Sequence, residues 1–313
     1  MQKMAGAFTH FIICDIAKRR RSVLDSELWR LLNKHSEFLF IGAASPDLPY
    51  LSFKTGKVNW ADIMHYERTN SIVTGAFDEM KAAWFSKSDA DEIKLVWILG
   101  FVSHLVADAT IHPVVQAIVG PYEQNKEEHR ICEMTQDSLI FNMEKSTDMT
   151  YAEFSSILKF CKKSKHFDAL MDFWKNQVVQ NYQGKGEEPH PELWFQSYTE
   201  AIDAAEGGSE IVGLFRHLGI GGNYIYRPKD EIVRDYPLYF QKYFQEVKLP
   251  DGNAGHFPTH GFERAVTNVV SAWNTLYSGL RSGTVVASNT IKDWNLDTGV
   301  DMDSPQKEVT YWA

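Results

Sequence analysis

One short segment of the chain carries several side chains of the kinds that bind metal ions. Residues 104–112 read His-Leu-Val-Ala-Asp-Ala-Thr-Ile-His, so His104, Asp108 and His112 recur at every fourth position. On an α-helix these positions share one stripe, which drifts by about 80° while the chain rises about 12 Å. Because zinc–nitrogen bonds are only about 2.0–2.1 Å long, histidines this far apart cannot share one ion. The spacing predicts several metal ions with Asp108 bridging between them.

The surroundings of this stripe are apolar. Asp108 is flanked by Leu105, Val106, Ala107 and Ile111, and an unpaired carboxylate buried there would cost several kcal/mol. Residues 93–119 are apolar enough to suggest a membrane span, but the polar stripe would be expensive in lipid. A buried helix whose polar side chains are neutralised by metal ions fits the same pattern.

Other potential ligands are spread along the first half of the chain. They are His10, Asp47, His65, and the pair His129 and Glu133. The last two are four residues apart on a predicted helix and can point the same way. Each residue alone would ordinarily be a core or surface side chain, and their joint occurrence favours metal binding. Asp62 and Asp137 are expected as outer partners of the ligands or as surface acids, with Asp137 an alternative to Glu133.

Composition limits the classes of function. The chain has 313 residues, 44% of them hydrophobic, so it can bury a large core. A net charge of −9 argues against a broad surface for nucleic acid. The basic run from Lys18 to Arg21 is expected to be a solvated helix end, with contact to anionic lipid or nucleic acid as the alternative.

Cysteine spacing and the N-terminal sequence bear on the compartment. Cys14, Cys132 and Cys161 are widely separated, so neither a disulfide framework nor a zinc knuckle is indicated. The first ten residues contain no apolar segment followed by a cleavage site. A cytoplasmic location is therefore expected.

Apolar periodicity is helical nearly throughout, which predicts an all-α protein. The predicted helices cover residues 60–84, 91–112, 124–145, 150–163, 165–182, 192–206, 229–247 and 260–280, after two helices in the first 35 residues. Thr9 is expected to cap the first helix, Ser22 or Asp25 the second, and Pro113 to end or kink the central one. Glycine and proline make the second half loop-rich, and the last thirty residues could add a short strand or an extended tail.

The ordered series of candidate ligands resembles the zinc-dependent phospholipase C family. Within that family it is most similar to the branch containing the catalytic domain of glycosylphosphatidylinositol-specific phospholipase D. The matching segments are Thr9-His10, Gly42-Ala-Ala-Ser-Pro-Asp47, His65 before a helix, Gly100-Phe-Val-Ser-His104 through His112, and His129-x-x-x-Glu133. Secreted bacterial members place five residues between the aspartate and the next histidine, whereas this chain has three.

The resemblance implies a multi-helix, phospholipase C/P1 nuclease-like domain that holds about three zinc ions. Asp47, His65, His104 and Asp108 would bind the first zinc, His10 and Asp108 the second, and His112, His129 and Glu133 the third. In secreted members the second zinc also binds a processed N-terminal residue, whereas Met1 here precedes His10 by nine residues. Residues 1–160 would form the metal-binding catalytic core and residues 161–313 a mostly helical extension of unknown role.

The implied activity is hydrolysis of a phosphodiester, in a phospholipid or a related small molecule, with transient contact to a membrane surface. Bound zinc lowers the pKa of water toward about 7 and stabilises the attacking and leaving oxygens. Asp47, expected in a turn, would ligate zinc and act as the catalytic carboxylate. Ligands without thiolates also suit iron or manganese. Two alternatives stay open, a single-strand nuclease of the same architecture and a metal-stabilised binding or biosynthetic protein.

The second half offers no comparable constellation. His256 and His260 flank a short segment, and aromatic residues such as Trp174, Trp194 and Tyr277 are numerous. Most are expected in the core, although some could line a cleft for a choline-like headgroup. No stable nucleic-acid complex is expected, and the oligomeric state is not indicated.

Overall fold

Helices account for most of the chain, as the periodicity predicts. The computed structural model describes residues 7–52, 59–146, 154–185, 187–206 and 227–313. The helices are α1 (Ala7–Arg19), α2 (Ser26–Lys34), α3 (Ser36–Ala44), α4 (Trp60–Tyr66), α5 (Ser71–Ala83), α6 (Asp89–Val119), α7 (Lys126–Lys145), α8 (Ser155–Lys163), α9 (Phe167–Asn181), α10 (Pro191–Glu206), α11 (Lys229–Asp235), α12 (Pro237–Phe240) and α13 (Glu263–Ser282). The all-α prediction is confirmed.

The apolar helix that carries the His-Asp-His stripe is the axis of the fold. At its start, the Ser88 hydroxyl and the Asp91 carboxylate accept hydrogen bonds from each other's backbone N–H, which forms a capping box. By length and composition α6 could cross a membrane, but its apolar window is wholly buried within the protein. It is therefore the core helix around which the others pack.

Helices α3 and α6 are in close contact because each has a glycine, Gly42 and Gly100, at the point where they meet. A Cβ at Gly42 would lie 2.0 Å from the Trp97 carbonyl oxygen, and one at Gly100 would lie 2.1 Å from that of Leu39. Contact at backbone distance fixes α3 on α6. The Ser45–Leu51 3₁₀ segment that follows α3 is thereby placed beside the His-Asp-His stripe.

Both halves of the chain contribute to one hydrophobic cluster. Helices α1 and α13 pack against α6, and the Trp273 indole N–H donates to the Leu99 carbonyl at 2.8 Å. The rings of Trp97 and Trp174 lie 5.5 Å apart. Trp174, Trp194 and Tyr277 are buried, as expected for core residues. Residues 161–313 therefore share the core of residues 1–160.

Several predicted boundaries differ from the structure. The predicted helix 60–84 is two helices, α4 and α5, separated by residues 67–70. Pro113 does not end α6, which continues to Val119. Thr9 lies inside α1 rather than before it, and its hydroxyl donates to Asp137. Asp25 caps α2 as predicted, accepting from the N–H groups of Glu27 and Leu28.

The second half contains more irregular structure. Pro237 interrupts the predicted helix 229–247, which is α11, α12 and a π-helical turn at Gln241–Gln245. A second π-helical segment, Phe257–Phe262, precedes α13. Strands β1 (Val247–Lys248) and β2 (Ala254–Gly255) form one antiparallel pair. The tail forms another, β3 (Trp294–Asn295) and β4 (Val300–Asp301), whereas Val285 and Val286 are not in a strand.

The basic run has local partners. Lys18 and Arg19 end α1, where both pair with Asp15 one turn earlier. Arg20 pairs with Glu263 at 2.6 Å, and Arg21 stacks on a nearby tryptophan ring. The run is a helix end held by acidic and aromatic neighbours.

The contact between α3 and α6 predicts a stability difference between two glycine substitutions. Gly100→Ala should destabilise the protein by at least about 1–3 kcal/mol, because its Cβ meets backbone that cannot move aside. Gly75→Ala is the matched control, since its Cβ meets only the ends of the Gln177 and Asn181 side chains and alanine favours a helix by up to about 1 kcal/mol. Denaturant unfolding of both variants measures the difference, and equal stability would contradict the close contact.

Candidate metal centre

The carboxylate of Asp108 lies between two groups of imidazoles. Its Oδ2 is 3.1 Å from Nε2 of His104 and 3.9 Å from Nε2 of His65. Its Oδ1 is 3.3 Å from Nε2 of His10 and 3.5 Å from Nε2 of His112. The two oxygens therefore face different histidines, which is the arrangement required of a bridging carboxylate.

Two compact donor groups share the His104 imidazole. The donor atoms of Asp47, His65 and His104 all lie within 4.8 Å of one another, and so do those of His10, His104 and Asp108. Nε2 of His65 is 3.2 Å from Oδ1 of Asp47 and 3.3 Å from Nε2 of His104. The His10 and His104 rings stack with their centroids 4.0 Å apart.

The third predicted set is joined through Glu133. Its Oε1 is 3.4 Å from Nε2 of His112 and 3.2 Å from Nδ1 of His129. The Tyr122 ring packs edge-on against His129, with centroids 5.1 Å apart. Because His112 also contacts Asp108, this set is continuous with the other two.

Five separate elements supply these side chains. Helix α1 carries His10, the Ser45–Leu51 segment carries Asp47, α4 carries His65, α6 carries the stripe, and α7 carries His129 and Glu133. Asp47 stands in the first turn of its 3₁₀ segment, which begins after Gly42 has locked α3 against α6. Placement of Asp47 thus depends on backbone packing several residues earlier.

Three of the imidazoles are oriented by backbone carbonyl groups. In each, Nδ1 donates to a carbonyl oxygen, namely His65 to Ala61 at 2.7 Å, His104 to Ala43 at 2.8 Å and His112 to Leu296 at 2.8 Å. A carbonyl can only accept, so Nδ1 carries the proton. The other ring nitrogen, Nε2, is then directed at the carboxylates, and it can bind a metal ion whenever it carries no proton.

The ionisable side chains of this cluster are buried, so their charges must be balanced by neighbouring groups rather than by water. His104 is 0% exposed and Asp108 2% exposed. Burial raises the pKa of Asp108, but the surrounding His112, His104 and His10 outweigh it and hold that pKa well below the usual range. Burial lowers the pKa of His65, yet contact with Asp47 and the charge of Asp108 raise it to about 9. The carboxylates therefore stay ionised and attract cations.

The donor atoms fit a metal ion better than they fit one another. Asp47 Oδ1, Asp108 Oδ2, His10 Nδ1 and both ring nitrogens of His129 are buried without a hydrogen-bond partner in the described residues. Lone pairs that face each other across 3–4 Å require a cation between them, and unsatisfied buried polar atoms are costly. Imidazole and carboxylate donors without thiolate suit zinc, and also iron or manganese.

One further donor group has a different explanation. His35, Asp89 and Glu92 also lie within ligand distance of one another. However, the Lys34 ammonium is 2.8 Å from Asp89 and 2.7 Å from Glu92. A lysine cation already neutralises this cluster, and His35 is not among the candidate ligands.

Two acidic residues near the candidate ligands, Asp62 and Asp137, accept hydrogen bonds from neighbouring side chains. Asp62 accepts a hydrogen bond from the Tyr50 hydroxyl at 2.9 Å, and the Tyr50 ring lies 5.5 Å from His65. Asp137 accepts from Thr9, next to His10. Asp137 as an alternative to Glu133 stays a prediction.

Sequence reasoning missed three contributions to this site. They are the carbonyl of Leu296, the Phe257 side chain that lines the cavity beside His10, and Tyr198 on α10, whose pKa is raised by burial and by the charge of Asp47. A carbonyl has no sequence signature, and the other two come from elements distant in the chain. His256 and His260 contact each other and are not part of the metal centre.

The fold and site together define an all-α protein with a buried cluster of histidine and carboxylate side chains that could bind metal. A family model described as zinc dependent phospholipase C matches residues 9–184. The chain therefore belongs to the zinc-dependent phospholipase C family, as the resemblance indicated. No curated protein matches the chain, and no solved structure does.

The raised pKa of His65 predicts that metal uptake releases protons. Near neutral pH the metal-free site holds a proton that zinc must displace from His65, because its pKa is about 9. Zinc affinity should therefore rise with pH up to about that value. Calorimetric titration in buffers of different ionisation enthalpy measures the released protons. Zinc binding that is independent of pH between about 6 and 9 would contradict this assignment.

The bridging position of Asp108 predicts a large effect of one substitution on metal content. Asp108→Ala should lose metal, since it removes the carboxylate that lies between the two groups of imidazoles. His35→Ala should retain it, because the cation in that cluster is Lys34. Elemental analysis of both purified variants tests the prediction, and equal metal content would refute it.

Proposed function

We propose that this protein is a zinc-dependent phosphodiesterase that acts on a phospholipid or a related small molecule through three zinc ions. The observation that carries the proposal is the two-sided contact of Asp108, whose oxygens face His104 and His65 on one side and His10 and His112 on the other. Family membership supports zinc and a phospholipase-like hydrolase.

Eight residues would hold the ions. Asp47, His65, His104 and Asp108 would bind the first, His10 and Asp108 the second, and His112, His129 and Glu133 the third. Zinc bound there would lower the pKa of water and stabilise charge on the attacking and leaving oxygens. Residues 1–6 lie outside the described part of the chain, so no counterpart of the N-terminal ligand of secreted members is assigned.

Asp47 is the proposed catalytic carboxylate. It belongs to the first donor group and projects from a 3₁₀ turn, whereas Asp108 belongs to the second group and its oxygens also approach His65 and His112. Its Oδ1 lies 3.2 Å from Nε2 of His65, and once that nitrogen binds zinc this oxygen would be available to orient a water molecule and accept its proton. Burial raises the pKa of Asp47, but His104 and His65 hold it below its usual value, which keeps the base ionised.

The cavity beside the ligands suggests the substrate class. It is lined by ligands His10, Asp108, His112 and Glu133, together with apolar Ile111 and Phe257 and polar Thr9, Gln136 and Asp137. A wall of mixed character suits a molecule with an anionic phosphodiester next to an apolar portion. Together with the family match, this supports a phospholipid, reached by transient contact with a membrane surface, as the substrate.

Burial of the ligands favours one alternative, a metal-stabilised protein without hydrolytic activity. Seven of the eight candidate ligands are among the buried polar residues. If the ions serve only the fold, the metallated protein should not turn over any phosphodiester. A single-strand nuclease of the same architecture is separated from the phospholipase by substrate alone.

Asp47→Asn tests the proposed catalytic role. Turnover should fall by about 10²–10⁴-fold, because the general base is lost while an amide of the same shape remains. Bound metal should persist, since the other donors of that group are unchanged. Short-chain phosphatidylcholine, phosphatidylinositol and single-stranded DNA are assayed with one metallated preparation, alongside metal analysis.

Asp89→Asn serves as the control, because Asp89 is an exposed acid beside Lys34 and should retain full turnover. Absence of turnover on all three substrates by the fully metallated wild-type protein would eliminate the hydrolase and leave the structural role.

A further inference from the structure

Residues 294–299, here named the C-terminal strap, reach the metal centre from the end of the chain. The Leu296 carbonyl accepts the hydrogen bond from His112 Nδ1 at 2.8 Å, and the Leu296 N–H donates to the His65 carbonyl at 3.2 Å. One residue therefore contacts histidines of two different ligand sets. The strap lies beyond the residues that the family model matches, 9–184.

Side chains next to these histidines hold the strap in place. The Tyr66 hydroxyl donates to Asp297 at 2.8 Å, and the Gln116 amide donates to the Asp297 carbonyl at 3.3 Å. On the other side, the Trp294 N–H donates to the Thr69 hydroxyl at 2.9 Å. Each partner sits within four residues of His65 or His112. The strap is therefore fastened to the elements that present these two ligands.

The strap also lies directly on the central helix beside Asp108. Gly299 has a φ of +66°, and a Cβ there would lie 2.4 Å from the Ala109 carbonyl oxygen. In an uninterrupted helix that carbonyl would accept from residue 113, which here is proline and has no N–H. The strap thus occupies the face of α6 where the helix lacks a hydrogen bond. Only glycine combines this φ with this close approach.

We propose that the C-terminal strap is the outer shell of the metal centre and positions His112 and His65 for their ions. A carbonyl that accepts from Nδ1 fixes the tautomer and the ring angle, so that Nε2 presents its lone pair to the metal. For His65 and His104 the acceptor belongs to a nearby helix of the first half. For His112 it is supplied by a segment that is 184 residues away in the sequence.

The charge of Asp297 supports this role. Three carboxylates, those of Asp108, Glu133 and Asp297, place negative charge around the His112 ring. Negative charge near Nδ1–H makes Nε2 a better donor to a cation. The strap therefore supplies both an orienting acceptor and a favourable field. This inference rests on the proposed metal centre but not on its substrate.

Gly299→Ala tests the strap through metal affinity. The added Cβ would collide with the Ala109 carbonyl oxygen and should displace the strap. Because the strap orients His112, the affinity of the protein for zinc at the His112 site should fall about 10–100-fold. Gly252→Ala is the matched control, because Gly252 also has a positive φ, +86°, but nothing within 4 Å of an added Cβ. Competition with a chelator of known affinity measures zinc binding, and cobalt absorption reports the ligand geometry.

Each outcome decides the proposal. Weaker zinc binding and altered cobalt bands in Gly299→Ala, with wild-type behaviour in Gly252→Ala, support the strap. Wild-type zinc affinity in a folded Gly299→Ala protein overturns it. If Gly299→Ala does not fold, Tyr66→Phe replaces it, since this variant removes the hydroxyl that donates to Asp297 in the strap. Weakened zinc binding in Tyr66→Phe supports the role, and unchanged binding overturns it.

The same measurements separate this inference from the proposed function. A protein that binds three zinc ions, loses affinity in Gly299→Ala and yet cleaves no phosphodiester would refute the hydrolase while supporting the strap. If instead both strap variants, Gly299→Ala and Tyr66→Phe, cleave phospholipid at the wild-type rate and bind zinc with wild-type affinity, the hydrolase is supported and the role of the strap is refuted.

Discussion

A single carboxylate in an apolar helix is the constraint on which this structure depends. Asp108 is 2% exposed, so its charge is removed from water and must be balanced inside the protein. Four imidazoles approach it, two toward each oxygen. Because those imidazoles come from α1, α4 and α6 itself, balancing one charge requires several elements to converge. The contacts that balance the charge of Asp108 are therefore also contacts that hold the tertiary fold together.

Without metal ions, the side chains around Asp108 balance its charge only in part. Protons on histidines such as His65 can neutralise part of the negative charge, but several buried donor atoms still lack partners in the described residues. Metal ions would satisfy those atoms and the charge together. Since the donors come together only in the folded chain, metal binding energy would act as folding energy. Buried ligands are then compatible with catalysis only where a cavity reaches them, as it does beside His10 and Glu133.

The second half of the chain is part of the centre rather than an appendage to it. Trp273 and Trp174 pack on α6, and Leu296 holds His112. The family match ends at residue 184, before any of the strap. A ligand set can thus be recognised in the first half while its support lies in the second. Support of this kind uses backbone carbonyls, which almost any residue can supply.

The amino-acid sequence by itself determined the helical class, the stripe on α6 and the family. These follow from local periodicity and from side-chain types at short spacings, such as His104, Asp108 and His112. It also marked His10, Asp47, His65, His129 and Glu133 as candidates, which the structure brings together around Asp108. Helix limits were less predictable, because the break at residues 67–70 and the continuation through Pro113 depend on packing partners.

Only the tertiary structure decided how the ligands are oriented and what supports them. Nδ1 of His112 meets a carbonyl 184 residues away, and Asp47 is placed by glycine contacts between α3 and α6. Such contacts involve backbone atoms common to every residue, so no spacing or composition reveals them. The types of side chain and their local spacing can be read from the sequence. The geometry that turns these side chains into a site depends on segments that meet only when the chain folds.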